Sequence, residues 1–143
     1  MRALPRLALL AMLFSPAALA EVHEVKMLNR GASGAMVYEP DYLHLQPGDS
    51  VRFLPTQSGH NAATLDGLLP AGAEPFKGKI NQALEVKFEV PGFYGIQCSP
   101  HVSMGMVMLI QVGEAATPAV PDGLNPRAGE RLAKIIEREL TSR

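Results

Sequence analysis

The feature that most constrains this chain is the stretch Gly95-Ile96-Gln97-Cys98-Ser99-Pro100-His101-Val102-Ser103-Met104-Gly105-Met106-Val107-Met108, in which two apolar runs flank a turn holding the only cysteine. Phe93 to Gln97 and Val107 to Val112 carry the aromatic and β-branched residues typical of strands. The second run is almost wholly apolar, which predicts a strand covered on both faces. Between them the turn presents a thiol, an imidazole and a thioether as Cys-x2-His-x4-Met. Two strands joined by so short a loop bring these three groups to one end of a sheet, and together they form a soft-metal donor set.

The rest of the chain is also written mostly in strands. Val22 to Leu28 has β-branched residues and partial alternation, and Asn29-Arg30-Gly31 breaks it. Met36-Val37-Tyr38, Tyr42 to Leu45 and Ser50 to Leu54 follow, separated by Glu39-Pro40-Asp41 and Pro47-Gly48-Asp49, where proline and glycine set turn geometry. Short strands at this spacing predict a mainly β sandwich. Ala62 to Gly78 is rich in Gly, Pro and Ala and reads as a long connection, with one helical turn near Asp66 to Leu69. In the next segment Leu84, Val86, Phe88 and Val90 alternate with Glu85, Lys87 and Glu89, giving a strand with one wet face. After Gly113 a Pro-rich linker leads to Asn125-Pro126, a capping residue followed by proline at the first helical position. The helix is expected to reach about Leu140, burying Leu132, Ile135, Ile136 and Leu140 and leaving Arg131, Lys134, Glu137 and Arg138 mostly solvated.

At the N-terminus, Arg2 and Arg6 flank a short apolar run that leads into Ala18-Leu19-Ala20, a small-x-small cleavage pattern. Residues 1–20 therefore read as an export signal, with the mature chain starting at Glu21. Residues 21–113 read as a single β domain, and residues 114–143 as a linker and helix packed on it. Loss of Arg2 and Arg6 leaves acidic residues in small excess, so nucleic acid is an unsuitable partner. An exported chain with one cysteine forms no internal disulfide, and a bound metal would protect the thiol.

A second imidazole, His60 in Ser58-Gly59-His60-Asn61, would complete a His2Cys set with a weak axial sulfur, the ligation of blue-copper electron-transfer centres. Both Met104 and Met106 are chemically admissible as that sulfur. Structural zinc is disfavoured, because it takes four Cys or His ligands and binds a neutral thioether poorly. A Cys-His nucleophile is the enzyme alternative, but no third residue orients the base. The methionine series Met104, Met106 and Met108 leaves open a copper-delivery protein that binds cuprous ion. His23 and His44 read as solvated strand residues. Asn61 is placed to tie the His60 loop to the Cys98 loop and to offer its backbone N–H to the sulfur.

From its start to about Gly113 the mature chain closely resembles the pseudoazurins, blue-copper proteins of the cupredoxin superfamily. The resemblance is carried by Met27-Leu28-Asn29-x-Gly31-Ala32-x-Gly34-Ala35-Met36-Val37, Pro47-Gly48-Asp49, Gly59-His60-Asn61, Phe76-Lys77-x-Lys79-Ile80-Asn81 and Cys98-x-Pro100-His101-x-x-Met104-Gly105-Met106. It implies an eight-stranded Greek-key sandwich with C-terminal helical structure. It also implies that His60, Cys98, His101 and Met106 hold one type 1 copper ion, with Met106 axial. The implied role is a monomeric periplasmic electron carrier, not an enzyme. Its implied partners are copper nitrite reductase and c-type cytochromes, docking near His101 beside Met36, Pro100 and Met104. The chain departs from the family where Ala116 to Gly123 is Pro-rich, which argues against a first of two C-terminal helices. It departs again at Ser58 and Gln97, which stand where members often carry lysine.

Overall fold

Residues 18–141 are described by the computed structural model, so most of the expected export signal, residues 1–17, lies outside the described residues. The first β-hairpin is built from β1 (Val22–Gly31) and β2 (Gly34–Glu39), joined by the two-residue turn Ala32-Ser33. Asn29, Arg30 and Gly31 do not end β1 as their composition suggested, because pairing with β2 carries the strand through them as far as Gly31 opposite Gly34. β3 (Tyr42–Leu45) and β4 (Ser50–Leu54) follow, and β4 lies parallel to β1.

β5 (Ala63–Thr64), β6 (Leu84–Lys87), β7 (Gly92–Gln97) and β8 (Val107–Val112) complete two four-stranded sheets, ordered β2-β1-β4-β6 and β3-β8-β7-β5. β5 has no signal in the sequence, since its two residues become a strand only by pairing with Gln97 and Ile96 of β7. Asp66 to Leu69 forms a turn rather than helix. Leu65 and Leu68 are buried there, and backbone bonds to β7 (Leu65 N to Gly95 O, 2.8 Å; Gly95 N to Leu68 O, 2.8 Å) hold the turn in place of helical ones.

The main core lies between the sheets. Val25 and Met27 from β1, Val51 and Phe53 from β4, and Phe88 after β6 meet Tyr94 and Ile96 from β7 and Met108, Ile110 and Val112 from β8. The predicted alternation after Leu84 holds: Glu85, Lys87 and Glu89 are exposed, Phe88 is buried, and Leu84 and Val86 are half-buried. Val90, half-buried like Leu84 and Val86, lies beyond the end of β6, where the chain turns into Pro91-Gly92.

All six residues of β8 are buried, and its two faces have different partners. Val107 and Leu109 turn outward into a second cluster with Ala128, Leu132, Ile135 and Ile136 of α1 (Pro126–Ile136). That helix explains why β8 has no polar alternation. Asn125 caps it, its side-chain oxygen accepting from the Arg127 N–H at 3.0 Å, with Pro126 next as expected. The α-helix ends at Ile136, and a wider π turn, Glu137–Thr141, continues toward the predicted end.

Two side chains expected in solvent are engaged. Arg131 donates to the carbonyls of Met36 (2.6 Å) and Ala35 (3.2 Å), and Arg138 pairs with Asp41 at 2.6 Å. Residues 116–120 carry no helix, in line with their proline content. No helix among the described residues is long and apolar enough to cross a membrane.

Candidate metal centre

Cys98 leaves the end of β7 and Met106 precedes β8, and the backbone between them folds onto itself. The Cys98 N–H donates to the Met106 carbonyl (3.1 Å) and the His101 N–H to the Cys98 carbonyl (3.0 Å). The His101 carbonyl in turn accepts from both Met104 (2.9 Å) and Met106 (3.1 Å). One short 3-10 turn, Val102–Met104, spans the middle. It ends at Gly105, whose φ of 88° favours glycine. A side chain there would also sit 3.1 Å from the Arg127 carbonyl, so α1 abuts the loop.

His60 comes from the other side of the sandwich, in the loop after β4. Asn81 holds that loop: its side chain accepts from the Gly59 N–H at 2.6 Å, and its own N–H donates to the His60 carbonyl at 3.0 Å. Tyr38 of β2 donates its hydroxyl to the Asn61 carbonyl at 2.8 Å. Asn61 then bridges the two loops as anticipated. Its amide nitrogen donates to Gly78 O and Ser99 Oγ, both 3.0 Å, and its oxygen accepts from the Ser99 N–H at 2.7 Å.

These supports bring three donor atoms together. Cys98 Sγ lies 3.5 Å from His101 Nδ1 and 3.7 Å from His60 Nδ1, and the two Nδ1 atoms are 3.1 Å apart. Donors bound to one ion at roughly 2.0–2.3 Å are separated by roughly 3–4 Å, so this triangle fits a single metal. His60 Nε2 is 2.7 Å from Asn29 Oδ1, an acceptor. The proton of neutral His60 therefore belongs on Nε2, which leaves the Nδ1 lone pair facing the sulfur and the second imidazole. Cys98, His60 and Met106 are inaccessible to solvent, while His101 is only half-buried. Met106 belongs to the same core cluster as Cys98, whereas Met104 is 43% exposed.

The electrostatics favour a metal over free charged ligands. Burial pushes the Cys98 thiol upward, and the backbone N–H groups of Asn61 and His101 oppose that by stabilising the thiolate. Burial, and then the neighbouring His101, lowers the pKa of His60, so its imidazole is neutral and ready to coordinate. Tyr38 is driven well above its ordinary value by burial and by the nearby Cys98, and it serves as a hydrogen-bond donor.

Among the described residues, His60, Cys98 and His101 are the metal-competent group of His, Cys and carboxylate side chains. His23 and His44 stand apart; His44 is solvent-exposed as expected, whereas His23 is half-buried. His23 Nε2 contacts Asp49 Oδ2 at 3.3 Å, and His44 Nε2 contacts the Gly113 carbonyl at 2.9 Å. The roles of Asn29, Asn81 and Tyr38 were not apparent from the sequence. A polar side chain at the end of a strand was a signal for Asn29, but its distant partner was not visible. Asn81, with φ of 64°, is a residue type that tolerates the left-handed region.

The model of the copper binding proteins, plastocyanin/azurin family, matches residues 25–113. The chain is thus a copper-binding protein of cupredoxin type, with the sandwich and donor set described above. It is 43% identical over 123 residues to a pseudoazurin from Paracoccus pantotrophus, covering 81% of this chain and 85% of that one. The pseudoazurin structure from Methylobacterium extorquens AM1 superposes with a TM-score of 0.77 at 41% identity, covering 82% of this chain and 98% of the other. Native pseudoazurin from Hyphomicrobium denitrificans gives 0.74 at 33% identity, with 82% and 97% covered. Within the cupredoxins, this chain belongs to the pseudoazurin family. It is accordingly a copper electron carrier and not an enzyme.

Proposed function

We propose that the chain is exported by cleavage of residues 1–20. In the periplasm it passes single electrons between redox proteins as a monomer, with a copper nitrite reductase as acceptor and a c-type cytochrome as donor. Residues 21–113 form the copper domain, and residues 114–143 are its linker and packed helix. His60, Cys98, His101 and Met106 hold one copper ion. The observation that carries this reading is the convergence of His60 Nδ1, Cys98 Sγ and His101 Nδ1 within 4.8 Å of one another. Bound copper supplies reversible one-electron chemistry between its cuprous and cupric states. The protein's part is to hold the ligands still, through Asn29, Asn61, Asn81 and the self-bonded loop, so that a change of charge requires little rearrangement.

Burial of Cys98, His60 and Met106 favours a retained ion over one handed to an acceptor, and so favours a carrier over a copper-delivery protein. Solvent-exposed Met104 fits the docking face better than the metal. That face includes half-buried His101, exposed Pro100, and Ile80, 48% exposed next to Lys79. The groove lined by Asn61, Lys77, Ile80, Ser99 and Pro100 runs directly beside the ligand loop, and its lysines suit an acidic partner. Copper loading of the purified chain tests the reading. An intense blue thiolate-to-copper band that bleaches and returns on reduction and reoxidation is expected. Met106→Gln should shift the band and lower the potential, and Met104→Gln should leave both nearly intact; the reverse pattern overturns the axial assignment.

A further inference from the structure

Asp49 is a carboxylate with only 5% of its surface exposed, outside the group of metal-competent side chains, and its contacts converge on the start of β1. Its Oδ1 accepts from the backbone nitrogen of Glu21 at 2.9 Å, and its Oδ2 accepts from the Gln46 N–H at 2.9 Å. Glu21 is fixed from its other side too, its carbonyl accepting from the Ser50 N–H at 2.8 Å. Immediately before it, Ala18, Leu19 and Ala20 are exposed and carry no secondary structure, with Leu19 at 87% exposure. These residues form one wall of a crevice whose other side includes His23, His44, Gln46 and Asp49.

We infer that Asp49 is a binding site for the α-ammonium group that processing creates at Glu21, so that cleavage converts a neutral amide contact into a buried ion pair locking β1 against β4. The inference rests on cleavage of the Ala20–Glu21 bond. Water adds across that amide, leaving a carboxylate on Ala20 and an ammonium on Glu21. The nitrogen that becomes charged is the atom already 2.9 Å from Asp49 Oδ1. The bond to the Asp49 carboxylate is already charge-assisted through its acceptor, and cleavage places a full charge on the donor as well, making it an ion pair. Among the described side chains, His23 faces this carboxylate, its Nε2 3.3 Å from Asp49 Oδ2 and 3.8 Å from Glu21 Oε2. His44, across the crevice, is directed to the Gly113 carbonyl and to Glu114 instead. Removal of Ala18 to Ala20 also strips one wall from the crevice.

Two measurements on the copper-loaded chain test this. The N-terminal residue of exported protein, read by mass spectrometry, checks the cleavage point independently. A chain beginning at Glu21, prepared from a cleavable fusion, is then compared with its Nα-acetylated form, which keeps the N–H donor and removes the charge. The α-amino group should titrate about one unit or more above its ordinary range of about 7.7–8.0. The free chain should also melt several degrees higher at neutral pH, and Asp49→Asn should abolish both differences. An α-amino group titrating in its ordinary range, or equal melting of free and acetylated chains, overturns the proposal. Neither of those two outcomes depends on Asp49→Asn, so the folding of that variant does not limit the test.

Discussion

Asn61→Ala removes a side chain with 1% of its surface exposed that makes two hydrogen bonds from the His60 loop to Ser99 of the Cys98 loop and a third to the Gly78 carbonyl. Truncation leaves the Ser99 N–H and the Gly78 carbonyl without their protein partner. Each such group costs about 1–3 kcal/mol when water cannot replace the lost bond. Ser99 and Gly78 are both half-buried, so water partly compensates, and the expected loss is about 2–4 kcal/mol. For a chain of this size that corresponds to a melting temperature lower by roughly 6–15 °C. The measurement is denaturant and thermal unfolding of copper-free protein, where metal binding adds nothing to stability. A change in midpoint at constant denaturant slope is expected, since the sandwich core is untouched. The Asn61 backbone N–H and the Tyr38 bond to its carbonyl survive the substitution, so the copper-loaded protein should still be blue. A loss below about 0.5 kcal/mol would refute the view that Asn61 ties the loops together.

Leu132→Ala, at a fully buried position where α1 packs on β8, should cost about 2–5 kcal/mol in chemical denaturation while leaving the visible spectrum unchanged. Asp49 has its carboxyl pKa lowered, first by the backbone N–H of Glu21 and then by Gln46 and His23, against the opposing effect of burial. Its stabilisation is therefore fully present above the ordinary carboxyl pKa of about 3.9 and is lost as pH falls through the lower folded value. The stability gap between wild type and Asp49→Asn should accordingly close on acidification, as pH-dependent melts can show. Lys77→Ala should slow association with an acidic redox partner mainly at low salt, in stopped-flow mixing, with the copper spectrum unaltered.

The ligand turn, the flanking strands and the capped helix were all legible in the sequence because each depends on neighbours close in the chain. Cys98, His101 and Met106 share one loop, and Asn125-Pro126 begins a helix through its own local geometry. The alternation from Leu84 to Phe88 likewise reports a one-sided strand wherever it lies. The sequence also brought His60 forward as a fourth ligand, by the chemistry of the donor set and by family resemblance. Its position could come only from tertiary structure. Asn81 and Tyr38 bind its loop from elsewhere in the fold, and Asn29, 31 residues away, fixes which ring nitrogen faces Cys98. The same is true of β5, which exists only opposite β7, and of Arg131, which reads as a solvated helix residue until β2 offers it two carbonyls. Periodicity records which face of an element is apolar. Which polar atoms meet across the sandwich depends on the packing of elements far apart in the chain, and no local pattern encodes it.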